Sequence, residues 1–185
     1  MTKRLVIVSD MWGCKKGLWI TSYLGYLQSY FDISFYDSRE LANLDVQLNT
    51  AEKLHKAFDE GGLDTAATQL LKSEKEKEPG HYLAFCAGAT TTWKAALEGL
   101  PIKSLYAISP FYLDGSIQKP DIPVHILHGE NHELLFDEKR FSEAGLTLET
   151  VPKFGHELYT DEKIIRKVCL NLLESQFNIR YKEVG

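Results

Sequence analysis

Cysteine is scarce in this chain. There are three, Cys14, Cys86 and Cys169, and no two of them form a C-x-x-C pair. An odd number without such a pair excludes a disulfide framework or a zinc ribbon as the organising device. Positive charge is in deficit: 21 Lys and Arg stand against 26 Asp and Glu, for a net charge of −5. A nucleic-acid or anionic-membrane partner needs a net basic face, so neither is expected. Long apolar runs are missing too, and none approaches the roughly 20 residues of a membrane span. Met1 to Arg4 lead only into Leu5 to Val8, and Asp10 closes that stretch. A secretory leader needs a longer apolar region and a small-residue cleavage site. The expectation is a soluble cytoplasmic protein with reduced thiols.

What is present fits one globular domain over 1–185. Hydrophobic residues make up 44% and charged residues 25%, so one core can hold the chain without staples. Leu5 to Val8 is a continuous apolar, β-branched run, the pattern of a strand covered on both faces. Trp19, Ile20, Tyr23, Leu24, Leu27 and Tyr30 recur at helical spacing and predict a helix over 17–30. A second strand is expected over 33–36. Residues 49–77 read as two helices, the first capped by Thr50 and ended by Gly61-Gly62, the second begun by Asp64. The charge run Lys72 to Glu78 reads as a solvated helix end. Further strands are expected over 82–85, 102–108, 124–127 and 146–151. A helix follows Cys86, a short one covers 137–143, and an amphipathic one closes the chain. Cys169 lies in the apolar stripe of that last helix and reads as core packing.

Strands alternating with helices imply an α/β fold, a mostly parallel sheet with helices on both faces. Chemistry then belongs in the loops at the carboxyl ends of the strands. Those loops carry Ser9 to Trp12, Cys86, Ser109 to Asp114, His128 to Glu133, and Phe154-Gly155-His156.

Cys86 sits at a strand-to-helix turn between small residues, Ala84-Phe85-Cys86-Ala87-Gly88. Small neighbours let the chain turn sharply and push one side chain out at the top of a sheet. The segment resembles the nucleophile elbow of the α/β-hydrolase superfamily, G-x-S-x-G, with cysteine in the serine position and alanine in the first glycine position. The dienelactone-hydrolase-like branch is similar in using cysteine there. The resemblance covers nearly the whole chain and implies a minimal α/β-hydrolase fold. Between Pro110 and Pro123 there is room for a loop but not for a cap domain, so a shallow, open pocket is expected.

The resemblance also implies roles. His156, after Gly155 in the loop before the last helix, matches the superfamily's base. The segment 123–133 resembles the strand that ends in G-x-x-D, but His132 stands in the Asp position. Glu133 ranks first for the acid, then Glu130, then Asp114. The oxyanion donors are expected at the backbone N–H of Ala87 and at Met11 or Trp12, with Trp12 also walling the pocket. Ser109, Asp114 and His132 are expected to line the pocket. A thiol and an imidazole differ less in proton affinity than a hydroxyl and an imidazole, so a thiolate–imidazolium pair is compatible with a degraded acid.

Other signals are discounted. His125, His128 and His132 do not form a known ligand spacing, so no metal is expected. Gly13 to Gly17 lacks the spacing of a phosphate loop, and no cofactor is expected. Cys14 reads as a thiol near the pocket. Two functions remain. One is hydrolysis of a small carboxylic ester, thioester or lactone through Cys86 and His156. The other is a non-catalytic protein of the same fold that binds a small ligand or a protein partner. Acyl transfer to an acceptor other than water, substrate identity and oligomeric state stay open at this level.

Overall fold

A computed structural model describes residues 2–45, 47–111, 113, 118–131, 141, 143 and 146–177. Six strands form one sheet: β1 (Lys3–Val8), β2 (Phe31–Tyr36), β3 (Gly80–Phe85), β4 (Ile102–Ile108), β5 (Val124–Gly129) and β6 (Thr147–Val151). Their order is β2-β1-β3-β4-β5-β6, and every pairing is parallel. Strand order reverses between β1 and β3. The crevice above their carboxyl ends is therefore the topological switch point, where open α/β sheets bind ligands. β1 and β3 bury their apolar runs completely, as a strand covered on both faces must.

Among the described residues six helices connect and cover the strands: α1 (Ile20–Leu27), α2 (Ser38–Leu41), α3 (Ala51–Ala57), α4 (Leu63–Glu74), α5 (Ala87–Leu97) and α6 (Glu162–Phe177). Phe85 packs its ring on Trp19 and on Tyr23 of α1, and α1 packs on α6. Tyr82, three residues earlier in β3, donates its hydroxyl to Glu74 at the end of α4. An odd separation in a strand puts these contacts on opposite faces, so helices cover both sides. Among the described residues no helix is long and apolar enough to cross a membrane.

Several elements depart from the sequence reading, and one expected helix falls outside the described residues. The helix expected over 17–30 begins at Ile20, because residues 13–16 form a separate 3-10 turn. That turn is held by Asp37, whose Oδ2 accepts the Cys14 backbone N–H at 2.6 Å. Thr50 does cap α3, and Gly61 turns at φ 118°. Asp64, however, lies inside α4 and pairs with Lys94 at 2.6 Å. The charge run at the end of α4 is not wholly solvated. Glu74 is fully buried, bound by Arg4 through two contacts of 2.6 and 2.8 Å and by Lys77 at 3.0 Å. The short helix expected over 137–143 lies outside the described residues except for 141 and 143.

Candidate active site

The site is built where β3 meets α5. Cys86 has φ 50° and ψ −120°, a backbone state that side chains with a Cβ rarely adopt. Such a strained turn is what a nucleophile elbow requires. Gly88 makes it possible. A Cβ there would lie 2.2 Å from the Ser9 carbonyl oxygen and 2.8 Å from that of Val8, so only glycine lets α5 start this close to the end of β1. Ser38 ties the same corner, donating its backbone N–H to Ser9 Oγ at 2.9 Å.

Two backbone N–H groups, those of Met11 and Ala87, are directed at the Cys86 sulfur and favour its ionised form. One comes from the loop after β1 and the other from the first residue of α5. Of the two oxyanion positions expected in the first loop, Met11 is the one so placed. The Trp12 N–H is taken by Asp10 Oδ1 at 3.0 Å. The Trp12 ring is half-buried and carries the Lys16 ammonium 3.5 Å from its centroid.

Asp10 is a residue the sequence reading passed over. It follows β1, is buried, and accepts the Tyr159 hydroxyl on Oδ2 at 3.1 Å. Burial pushes its carboxyl up to about 6, against the lowering effect of the Tyr159 hydroxyl. Its charge acts on Cys86. Burial first, and then Asp10, push the thiol up to about 12, against the two backbone N–H groups. Both effects disfavour a preformed thiolate in the free site. Cys86 itself is fully buried. The signal for Asp10 was its position: a carboxylate one residue before an oxyanion donor, at the switch point.

The loop before His156 is seated by a tight contact with the end of β5. A Cβ on Gly129 at the end of β5 would lie 2.3 Å from the Phe154 carbonyl oxygen and 2.5 Å from that of Gly155. Asn131 donates its N–H to the same Phe154 oxygen at 2.9 Å. The His156 ring stands nearly perpendicular to that of Tyr159, with centroids 6.2 Å apart, and its Nε2 is buried. Tyr159 thus touches both Asp10 and the His156 ring. Glu130 is exposed and accepts the Lys153 backbone N–H at 2.9 Å, so it braces the turn before the histidine loop. Asp114, His132 and Glu133 lie outside the described residues.

Ser109 closes β4 beside the elbow, fully buried, at φ 46°. Two of the discounted histidines, His125 and His128, have structural partners. His125 pairs with Glu149 at 3.1 Å. His128 lies between Thr150 Oγ1 at 2.9 Å and the Gly129 carbonyl oxygen. Cys14 is not a thiol of this site. It is exposed beside Asp37 in a separate groove with Tyr36 and Glu40, and burial with the Asp37 carboxylate pushes it up to about 11. A groove of about 1050 Å³ lies at the amino ends of β5 and β6 against the end of α6, away from the elbow.

No protein-family model matches the chain, and no curated protein sequence does. Solved structures do match over nearly its whole length. A protein of Xanthomonas campestris assigned to the alpha/beta hydrolase superfamily is 17% identical, with a TM-score of 0.67 over 94% of this chain and 99% of that one. The carboxylesterase CesB of Bacillus subtilis is 12% identical, with a TM-score of 0.64 over 97% and 85%. The naproxen esterase of Bacillus subtilis is 11% identical, with a TM-score of 0.60 over 94% and 83%. The chain has the α/β-hydrolase fold. Its sheet lies within that fold, with the elbow cysteine at the switch point.

Proposed function

We propose that this protein is a hydrolase of small carboxylic esters, thioesters or lactones, with Cys86 as nucleophile and His156 as base. The observation that carries the reading is the strained Cys86 turn, with the Met11 and Ala87 N–H groups directed at its sulfur. Donors so placed hold the oxygen of a carbonyl whose carbon is bonded to that sulfur. Because burial and Asp10 keep the thiol protonated, attack and proton transfer proceed together. Sγ bonds to the carbonyl carbon, the thiol proton passes to His156, and the carbonyl electron pair moves onto the oxyanion. As the carbonyl re-forms, the leaving group takes the proton from His156 and departs. Water then attacks the thioester, gives one proton to His156, and releases the carboxylic acid as the thiol is restored. With Glu130 bracing its own turn, Glu133 is the acid of this reading and Asp114 stands behind it.

The test is turnover of p-nitrophenyl acetate with mass spectrometry of the intact protein. The expected result is a transient acyl adduct on Cys86, lost in Cys86→Ala, with kcat/KM down by at least about 10²-fold in His156→Ala. Turnover unaffected by Cys86→Ala overturns the mechanism. The alternative, a non-catalytic binding protein, draws on the complete burial of Cys86. It is the outcome if no adduct forms with any small ester or thioester.

A further inference from the structure

Ser109 carries two costs that the fold does not require. Its backbone is held at φ 46°, and its Oγ is buried without a hydrogen-bond partner among the described residues. Buried hydroxyls are nearly always satisfied, so an orphan needs an explanation. Its position supplies one. Phe85 and Ile108 are paired in register across β3 and β4, which makes Cys86 and Ser109 the next two residues off the same ladder. The Cys86 N–H still donates to the Ile108 oxygen at 2.9 Å. Adjacent strands lie about 4.8 Å apart, and the two residues leave them with nearly the same φ, 50° and 46°. Two residues on, the Phe111 N–H donates to Thr90 Oγ1 of α5 at 2.9 Å.

We propose that Ser109 determines the acyl specificity of this site, its hydroxyl binding an oxygen on the α-carbon of the substrate. The inference rests on Cys86 being the nucleophile. The oxyanion donor of Met11 comes from β1, on one side of β3, whereas Ser109 closes β4, on the other. With the carbonyl oxygen drawn to the β1 side, the rest of the acyl group extends to the β4 side. A 2-hydroxyacyl or 2-oxoacyl group satisfies the orphan there, and a plain alkanoyl group leaves it unpaired. A site built to bond a substrate hydroxyl discriminates strongly against the analogue that lacks it.

The experiment compares the N-acetylcysteamine thioesters of lactate and propionate, which differ by that one hydroxyl. Wild-type protein is expected to favour lactoyl over propionyl in kcat/KM by about 10- to 100-fold. Ser109→Ala is expected to remove the preference, lactoyl turnover falling by more than propionyl turnover. Ser109→Gly suits φ 46° and lacks the hydroxyl. It separates hydroxyl loss from backbone disturbance and is expected to level the preference in the same way. If both thioesters are turned over without preference, or the preference survives in both variants, the role of Ser109 is overturned while the hydrolase reading stands. If neither thioester acylates Cys86, the hydrolase reading itself fails and the specificity role with it.

Discussion

At the scale of the residue, two positions define the site: a glycine with no room for a Cβ, and a carboxylate beside a sulfur. Gly88→Ala places a methyl 2.2 Å from the Ser9 carbonyl oxygen, so α5 must back away from β1. A loss of about 1–3 kcal/mol is expected, read as a fall in the urea midpoint. Asp10→Asn works the other way on the thiol. A carboxylate opposes a nearby thiolate, so removing its charge lowers the Cys86 pKa from about 12. Iodoacetamide labelling of Cys86 against pH, followed by peptide mass spectrometry, is expected to shift its midpoint downward in the variant. An unchanged midpoint rules out the electrostatic link between the two groups.

At the scale of the element, two junctions organise the molecule. The first is the end of β5, where Gly129 lets the 154–155 backbone approach and so seats His156. Gly129→Ala is expected to cut turnover at least tenfold while leaving the elbow intact, visible as normal labelling of Cys86. The second is the buried end of α4. Burial would raise the Glu74 carboxyl, but the hydrogen bonds from Arg4, Tyr36 and Lys77 outweigh it and hold it at about 2. A carboxylate with a depressed pKa stabilises the fold above its unfolded value of about 4.5 and loses that contribution as pH falls toward 2. Urea unfolding between pH 5 and 2 is expected to show this decline, and Glu74→Gln to flatten it. At neutral pH the same variant leaves Arg4 without its carboxylate and is expected to cost about 3 kcal/mol.

At the scale of the whole molecule, a single parallel sheet brings the carboxyl ends of β1, β3 and β4 together at the switch point. Complete burial of Cys86 and Cys169 predicts that native labelling at pH 8 modifies the exposed Cys14 first, although its own thiol is held up to about 11. Cys86 following only with a small acyl ligand present is the pattern of a site that opens to substrate. The strands, their alternation with helices and the elbow were all readable in order along the chain, because apolar runs, helical spacing and small residues around Cys86 are local properties. The loop that carries His156 was readable as the segment between the last strand and the last helix. Ser109 was readable as a residue of a loop expected to line the pocket and Asp10 only as part of the first loop, but the action of Asp10 on the thiol and the orphaned Ser109 hydroxyl show only once strand order and register are set. The buried Glu74 shows the same limit: a charge run reads as solvated until Arg4, 70 residues away in sequence, meets it. The sequence by itself determined which segments are strands and which residue stands at the elbow, through short-range sterics and periodicity. Tertiary structure alone decided which groups surround the thiol and what its proton costs to remove, because burial and Coulomb interaction depend on distances in space that sequence separation does not encode.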